Sequence, residues 1–400
     1  MIARMLTGVA VLALSAGAAQ AQMSDDVIKI GVLNDRSGVY ADLGGENSVV
    51  AARMAAEEFN NEINGTPIEI VSADHQNKPD IGSNIARQWI DAEAVDAIAD
   101  VPTSSVALAV QEITRDRDTI FLMSGPAASS LSGEACSPTG FHWTYDTRAL
   151  AVGTAKTIVE NGGTSWFFLT ADYAFGEALQ ADATTVIEEL GGEVVGSVRH
   201  PLGTSDFSSF LLQAQGSGAQ VIGLANAGGD TTNSVKQANE FGITQAGQSL
   251  ASLLVFLSDV HALGLEAAQG LILTESFYWD LNEDTREWSA AFEERTGVKP
   301  TMVHAGVYSG VRHYLRAIQE AGTDEGPAVA EQMRAMPIDD FFAPDVQIQA
   351  NNRVPVDMHV FQIKSPSESE GPWDYYNLLR TIPGNEAYAS AEESGCSFAQ

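Results

Sequence analysis

The sequence contains few basic residues. Its 400 residues include 21 Lys and Arg against 53 Asp and Glu, which gives a formal net charge of -32 at pH 7. Proteins that bind nucleic acids neutralise phosphates with Lys and Arg, so this excess of acid argues against a nucleic-acid partner. The charge favours solubility and does not bear on the fold.

Long apolar runs are also scarce. Residues 1–21 combine Arg4 with an apolar core and small residues that end in Ala19-Gln20-Ala21. This order is typical of a secretory signal peptide that is cleaved after about Ala21. The alternative is an amino-terminal membrane anchor, but the run is short against the roughly 20 apolar residues of a spanning helix. We therefore predict export from the cytoplasm, with no later membrane segment.

Cysteine is nearly absent, since Cys136 and Cys396 are the two cysteines of the chain. An even pair in an oxidising compartment is more often a disulfide than a reactive couple. We predict one bridge that ties the C-terminal tail to the loop after Phe121. The alternative is two unpaired buried thiols.

The motifs of common enzymes are missing as well. The sequence has no G-x-S-x-G elbow, no Walker A loop, no H-E-x-x-H and no C-x-x-C. Its seven His are scattered, and His304 and His313 fall on opposite sides of one predicted helix. We therefore expect no catalytic residues, no metal site and no cofactor.

From residue 27 onward, short apolar runs alternate with longer segments of helical period. The runs predict strands, and apolar residues at spacings of three and four predict helices between them. The predicted strands span residues 27–33, 68–74, 94–100 and 119–124, and then 165–171, 193–200, 219–226, 252–256 and 270–276. The predicted helices span residues 45–62, 80–92 and 104–117, and later ones begin near Gly176, Asp206, Asp230 and His261.

This alternation favours right-handed crossovers and parallel sheets covered on both faces. The sequence thus predicts an α/β protein with two doubly wound lobes that join near residues 142–148. Residues 345–364 alternate around the turn signal Ala350-Asn351-Asn352 and predict a β-hairpin. Such late segments would return to both lobes and form a hinge. The expected division is an N-terminal lobe of residues 22–145 with about 278–340, a C-terminal lobe of residues 146–277 with about 341–365, and a tail of residues 366–400.

Small and hydroxyl residues follow two predicted strands of the first lobe, at residues 100–105 and 123–130. Ligands of doubly wound sheets bind beyond the carboxyl ends of the strands. Hydroxyl groups and free N–H groups at a helix start can hold an anion. We therefore predict that these loops bind the negative end of a small molecule. The alternative is that their Ser and Thr side chains are ordinary helix N-caps.

Four stretches, residues 28–60, 100–110, 121–130 and 170–179, resemble in order the motifs of one family. It is the periplasmic Leu/Ile/Val-binding protein family, the branched-chain-amino-acid type of type I substrate-binding protein in ABC importers. The likeness covers about residues 27–365. It implies two lobes with three chain crossings that close over one small ligand. It also implies a periplasmic monomer that works with permease subunits in the membrane.

In the first lobe, the resemblance implies two groups of ligand-binding residues. Pro102, Thr103 and Ser104 match the loop that binds the ligand carboxylate through hydroxyl and backbone N–H groups. Leu43 matches an apolar or aromatic wall, and Tyr40 lies close to it in the sequence.

A second loop of the first lobe departs from the family pattern. Ala127, Ala128 and Ser129 match the segment that completes carboxylate and ammonium binding, but the order "GPAASS" replaces the usual "PGAT". This departure leaves open whether the ligand is an amino acid or an aromatic or other organic acid without an ammonium group.

In the second lobe, Phe175 stands where the family often has a Tyr that closes over the ligand. Asp230 and Asp259 match polar or acidic contacts, and Tyr278 or Trp279 matches an aromatic wall. Each residue also has a structural alternative. Phe175 and Trp279 could pack without touching a ligand, and either Asp could be a helix N-cap.

Together these features predict the solute-binding component of an ABC importer that captures a small carboxylate-bearing ligand by hinge closure. Two alternatives remain open. A sensory module that acts with a membrane receptor would have the same sequence features. A cleft enzyme on the same fold would need a nucleophile with a general base, and the loops offer hydroxyl groups without an evident partner.

Overall fold

A computed structural model describes residues 23–399 of the chain. The predicted signal peptide, residues 1–21, lies outside the described residues. Within residues 23–399, no helix combines the length and the apolar character needed to cross a membrane.

Thirteen strands occur in the part of the chain that the structure describes. They are β1 (Ile28–Asn34), β2 (Glu62–Ile63), β3 (Thr66–Asp74), β4 (Ala97–Asp100), β5 (Ile120–Met123), β6 (Gly140–His142), β7 (Ser165–Ala171), β8 (Glu193–His200), β9 (Val221–Ala225), β10 (Ser249–Ser252), β11 (Ile272–Glu275), β12 (Met358–Ile363) and β13 (Tyr376–Ile382).

The strands form three sheets. The first has the order β2-β3-β1-β4-β5-β6, the second β10-β9-β7-β8, and the third β11-β12-β13. Pairing is parallel throughout the second sheet and in the first sheet apart from β2, whereas the third sheet is antiparallel. Every residue of β4, β5 and β9 is buried because helices cover both faces of a parallel sheet.

Helices connect and cover these sheets. They are α1 (Gly45–Glu57), α2 (Pro79–Glu93), α3 (Ser104–Asp116), α4 (Thr147–Leu150), α5 (Lys156–Glu160), α6 (Ala174–Glu189), α7 (Ser208–Gly216), α8 (Gly229–Glu240), α9 (Leu257–Leu263), α10 (Leu265–Ala268), α11 (Glu283–Thr296), α12 (Met302–Ala321), α13 (Gly326–Ala335) and α14 (Gly384–Ala387). One π turn, Ala151–Ala155, joins α4 to α5.

The chain returns to the first lobe after β11. The long helix α12 packs against α1, β4 and β5, and its apolar face is buried along most of its length. Further on, the backbone of His142 bonds to the backbone of Asn352 and Val354, at 3.0 Å in both cases. The structure thus confirms the predicted fold class of two α/β lobes, while the exact lobe boundaries remain a prediction.

Two local predictions are wrong. Residues 345–364 do not form a hairpin, because β12 pairs with β11 and with β13 of the tail. The strand predicted at residues 252–256 is displaced, since Ser249–Ser252 pairs with β9 and the apolar run that follows leads into α9. The short strands β2 and β6, and also β13, were not predicted.

The predicted disulfide is confirmed. Cys136 and Cys396 are bonded, with their Cα atoms 5.6 Å apart, and both are buried. In the same C-terminal tail, the Tyr388 hydroxyl donates to the carbonyl oxygen of Thr144 at 2.9 Å. The C-terminal tail is therefore fixed to the first lobe by a covalent bond and by packing.

Candidate ligand-binding cleft

The carboxyl ends of strands from the first two sheets face each other across a cleft. Between them lies a small cavity of about 10 Å³, which we call the aromatic cavity. It is lined by Tyr40, Leu43, Pro102, Gly125, Ala127, Tyr145, Tyr173, Phe175, Ala227, Leu254 and Phe256. This position matches the rule that ligands of doubly wound sheets bind beyond the strand ends.

Hydroxyl groups tie the first-lobe loops together behind this wall. The Thr103 hydroxyl, just before α3, donates to the side-chain oxygen of Asn77. The Ser104 hydroxyl accepts the backbone N–H groups of Ala127 and Ala128, at 3.3 and 3.2 Å. Because Thr103, Ser104, Ala127 and Ala128 are all buried, the loops after β4 and β5 form one preassembled surface.

The backbone that presents Pro102 is strained. Asp100 and Val101 have φ angles of 79° and 57°, which non-glycine residues adopt only at a cost of order 1–3 kcal/mol each. Burial raises the pKa of Asp100 to about 6, and its carboxylate accepts a bond from the Asn34 amide at 3.2 Å. A Cβ atom at Gly125 would lie 2.7 Å from the other oxygen of Asp100, so the wall requires glycine there.

The second lobe contributes aromatic rings. Tyr173 precedes α6 in an extended conformation, and Phe175 lies in the first turn, with the two ring centroids 5.9 Å apart. The Tyr173 hydroxyl is hydrogen-bonded to the Tyr40 hydroxyl of the first lobe. Burial raises the pKa of both phenols above its usual range, and their proximity raises that of Tyr40 further, so both are neutral.

Two further contacts join the lobes. The backbone N–H of Gly229 donates to the carbonyl oxygen of Val39 at 3.0 Å. On the other side of the cleft, the Asp182 carboxylate of α6 accepts the Ser129 hydroxyl at 3.0 Å and the Thr147 hydroxyl at 2.5 Å. The structure therefore has the lobes in direct contact, as in a closed binding protein.

Only some of the predicted site residues lie on the wall of the aromatic cavity. Five of them lie on the cavity wall: Tyr40, Leu43, Pro102, Ala127 and Phe175. Thr103, Ser104 and Ala128 lie directly behind the wall, and Ser129 makes the contact with Asp182 described above.

The predicted acidic residues lie away from the wall and have other partners. Asp230 accepts the backbone N–H of Gly203 at 3.1 Å, and Asp259 accepts that of Phe256 at 2.9 Å at the start of α9. Burial raises the pKa of each carboxyl to about 7.

The predicted aromatic wall of Tyr278 and Trp279 also lies elsewhere. Both side chains donate to the carbonyl oxygen of Trp373, each at 2.9 Å, and Tyr278 packs against Phe361. Neither residue lines the aromatic cavity.

Sequence reasoning missed six wall residues: Gly125, Tyr145, Tyr173, Ala227, Leu254 and Phe256. Two of them had a signal, since Tyr173 is two residues from Phe175 and Tyr145 lies in the predicted junction. In the structure the Tyr145 hydroxyl donates to the carbonyl oxygen of Gly125 at 2.6 Å. The others are small or apolar residues that look like core in the sequence.

The wall carries no Asp, Glu, Lys, Arg or His among residues 23–399. Its polar side-chain groups are the hydroxyls of Tyr40, Tyr145 and Tyr173. The two predicted acids do not line the wall. One oxygen of Asp230 accepts the N–H of Gly203 and its Oδ1 is buried with no hydrogen-bond partner within residues 23–399, whereas Asp259 accepts the N–H of Phe256.

A family model for periplasmic binding proteins matches residues 27–371. The chain belongs to the periplasmic binding protein family. It is also similar to Leu/Ile/Val-binding protein homolog 6 of Brucella melitensis, with 27% identity over 334 residues, 81% of this chain and 83% of the relative. The suspected family is thus confirmed, and the family implies a periplasmic location.

Two solved structures resemble this periplasmic binding protein over nearly their whole length. A periplasmic binding protein from Burkholderia mallei is 46% identical, with a TM-score of 0.92 over 94% of this chain and 100% of that one. A branched-chain amino acid ABC transporter periplasmic ligand-binding protein from Burkholderia xenovorans is 34% identical, with a TM-score of 0.83 over 93% and 100%. The protein is therefore a solute-binding protein of the ABC transporter type.

Proposed function

We propose that the protein captures a small aromatic or other organic carboxylate that has no ammonium group, and delivers it to the permease of an ABC importer. The observation that carries this proposal is the wall of the aromatic cavity, with its rings and its lack of ionised side chains. Such a wall favours an apolar body through burial of apolar surface.

The wall argues against an amino acid. A buried charge is costly unless it is paired and hydrogen-bonded, and an ammonium group needs a carboxylate or several carbonyl oxygens. Asp259 would have to release the N–H of Phe256 before it could turn to a ligand, and Asp230, whose Oδ1 has no hydrogen-bond partner within residues 23–399, does not line the wall.

A ligand carboxylate would find hydrogen-bond donors on the first-lobe side of the cavity. The start of α3 has unpaired backbone N–H groups and a favourable dipole, and Thr103 and Ser104 supply hydroxyl groups there. On ligand entry these hydroxyls would exchange their present partners, Asn77 and the N–H groups of Ala127 and Ala128, for the ligand.

The space left between the two lobes is small. It is about 10 Å³, roughly what one water molecule needs, so the side chains of the wall have to move apart to admit a ligand. Because the lobes touch around the cavity, the ligand would enter the open form and be enclosed by hinge closure.

A thermal-shift screen of residues 22–400 tests the proposal, with benzoate, 4-hydroxybenzoate, cyclohexanecarboxylate, benzamide, phenylalanine and leucine. A ligand at 100 times its Kd adds about 2.7 kcal/mol to stability, which is a shift of several degrees. We expect the carboxylic acids to shift Tm through the aromatic cavity, and the two amino acids to give no shift that Ala227→Phe removes. A shift that is seen with the amino acids alone and is lost in Ala227→Phe would refute the proposed ligand class.

Matched variants locate the effect. Ala227 lines the aromatic cavity, so Ala227→Phe should abolish the shift by filling it. Ala389→Phe adds the same ring in a different cavity and should preserve the shift. Delivery to a permease is tested separately by uptake of the radiolabelled ligand in cells with and without the gene; unchanged uptake would favour a sensory role.

A further inference from the structure

Arg353 is a buried arginine with half of its guanidinium unpaired. Its side chain is 1% exposed, and Nη1 donates to the carbonyl oxygen of Tyr145 at 3.0 Å. The guanidinium carbon lies 3.9 Å from the centroid of the Tyr388 ring. Within residues 23–399, Nε and Nη2 have no hydrogen-bond acceptor. These two nitrogens form one edge of the planar group, the edge that binds a carboxylate with two parallel hydrogen bonds.

Arg353 lines a second cavity, of about 160 Å³, which we call the hinge cavity. It shares no lining residue with the aromatic cavity. First-lobe loops, α6, the chain junction and the C-terminal tail all contribute to it. Its polar character contrasts with the aromatic cavity, since Ser129, Asp146, Asp182, Asn351 and Ser394 all line it.

Charged side chains are arranged by depth in the hinge cavity. Asp146 is buried with Arg353 in the interior, and its carboxylate accepts the backbone N–H of Ala149 at 2.8 Å. Asp182 is half-buried at the side. Exposed at the mouth are Glu134, Arg148 and Glu393. The hinge cavity thus has four carboxylates and only two guanidinium groups. Arg353 would attract an anion without a hydrogen-bond donor, but the carboxylates would repel it.

We propose that the hinge cavity is a second binding site, for a small carboxylate that also carries a hydrogen-bond donor, as in α-amino and α-hydroxy acids. The carboxylate binds Nε and Nη2 of Arg353 and satisfies a buried charge that is otherwise costly. The donor group, an ammonium or a hydroxyl, faces the carboxylates of Asp146 and Asp182.

The position of the site couples it to lobe closure. Asp182 of α6 already accepts hydroxyl groups from Ser129 and Thr147, so the cavity is completed only when the lobes meet. Arg353 also holds the carbonyl oxygen of Tyr145, whose ring lines the aromatic cavity. A molecule bound in the hinge cavity therefore favours the closed form and strengthens binding in the aromatic cavity, by reciprocal linkage.

Calorimetric titration of the mature chain with glycine, glycolate and acetate tests the site. We expect glycine or glycolate to bind at least tenfold more tightly than acetate, and the better of the two identifies the donor group. Arg353→Gln should weaken that binding at least tenfold. Ala389→Phe, which fills the hinge cavity from the tail and removes no hydrogen bond of the cavity, should do the same. Asn385→Phe, an exposed position in α14, is the matched control and should bind normally.

The proposal does not rest on the ligand of the aromatic cavity. Ala227→Phe should leave the titration unchanged, so loss of binding in that variant with retention in Ala389→Phe would assign the molecule to the aromatic cavity and overturn the site. Absence of binding by all three probes at 50 mM would also overturn it, and acetate binding as tightly as the others would refute the need for a donor. If Arg353→Gln fails to fold by near-UV circular dichroism, Ala389→Phe decides.

Discussion

The two sides of the aromatic cavity are built differently. On the first-lobe side, short loops are bonded to each other through Thr103 and Ser104 and lie on a buried, strained backbone at Asp100. On the second-lobe side, Tyr173, Phe175 and other aromatic or apolar residues meet the first lobe through few hydrogen bonds. The first side is thus preassembled, and the second is suited to move onto it.

This difference separates affinity from stability. Bonds within the first lobe exist in open and closed forms alike, so they stabilise the fold and preorganise the site. Contacts between Tyr40 and Tyr173 or between Val39 and Gly229 exist only when the lobes meet. Variants that remove bonds of the first side should therefore change stability as well as ligand binding, whereas variants at the lobe contacts should change ligand binding alone.

The largest expected effect is on stability, from removal of the disulfide that braces the first lobe. Cys136→Ser with Cys396→Ser should lower the free energy of unfolding by about 2–4 kcal/mol, because the unfolded chain is no longer constrained. Neither residue lines the aromatic cavity, so ligand affinity should stay within about twofold, a change of roughly 0.4 kcal/mol. Urea unfolding and calorimetry check both parts, and an unchanged unfolding midpoint would contradict the assigned role.

The next effect concerns closure. Gly228 has φ of 57°, and a Cβ atom there would overlap the carbonyl oxygen of Val39. Gly228→Ala should therefore weaken binding of any cleft ligand by about 100-fold, roughly 2.7 kcal/mol, because the closed form is blocked. Small-angle scattering should show the variant open with saturating ligand.

Gly218→Ala is the matched control for this prediction. Gly218 also has a positive φ, 71°, but a Cβ atom there would meet nothing within 4 Å. It should share the loss of stability from backbone strain, of about 1–2 kcal/mol, without the loss of affinity. Equal affinities for the two variants would show that the contact with Val39 does not limit closure.

The sequence predicted some strands well and others poorly. β7 and β8 were predicted with the bounds that the structure gives. β7 is an almost fully buried apolar run, and β8 alternates exposed and half-buried residues with the period of two that is typical of a strand. β12 was assigned the wrong partner, since the turn signal at Asn351-Asn352 is local, whereas its actual partners are distant segments of the chain.

Within the cavity, the sequence located the loops better than the rings. Pro102 and Ala127 follow predicted strands, so their place at the strand ends could be inferred. Leu254 and Phe256 belong to an apolar run that was predicted as a strand. An apolar residue has the same sequence signal whether it packs in a core or faces a ligand, and only the three-dimensional arrangement separates the two.

A third prediction concerns pH and the second-lobe Asp230, which is 1% exposed. Burial raises its pKa from 3.8 to about 7, so the folded protein keeps this proton while the unfolded chain loses it above about pH 4. Its contribution therefore lowers stability as pH rises from 4 to 7. Asp230→Asn should reduce the fall in unfolding free energy between pH 5 and 7 by roughly 2 kcal/mol.

Urea unfolding at both pH values measures this change. Asp206→Asn is the control, because Asp206 is exposed and hydrogen bonds from Ser208 lower its pKa. Asp206→Asn should not reduce the fall in unfolding free energy between pH 5 and 7. Part of the pH dependence should persist in Asp230→Asn, since burial also raises the pKa of Asp96 and Asp259 to about 7. An identical pH dependence in Asp230→Asn and the parent would show that Asp230 is ionised in the fold.

The smallest expected effect is from the hydroxyl pair that joins the two sides, Tyr40 and Tyr173. Tyr173→Phe keeps the ring on the wall and removes one hydrogen bond that exists only in the closed form, worth about 1 kcal/mol. Ligand affinity should fall about fivefold, with little change in unfolding. Tyr40→Phe should have the same effect, and the double variant no more than either, because each substitution removes the same bond. Additive losses of affinity would mean that each hydroxyl binds the ligand separately. Tyr40 and Tyr173 would then be ligand contacts rather than a bond that forms only on closure.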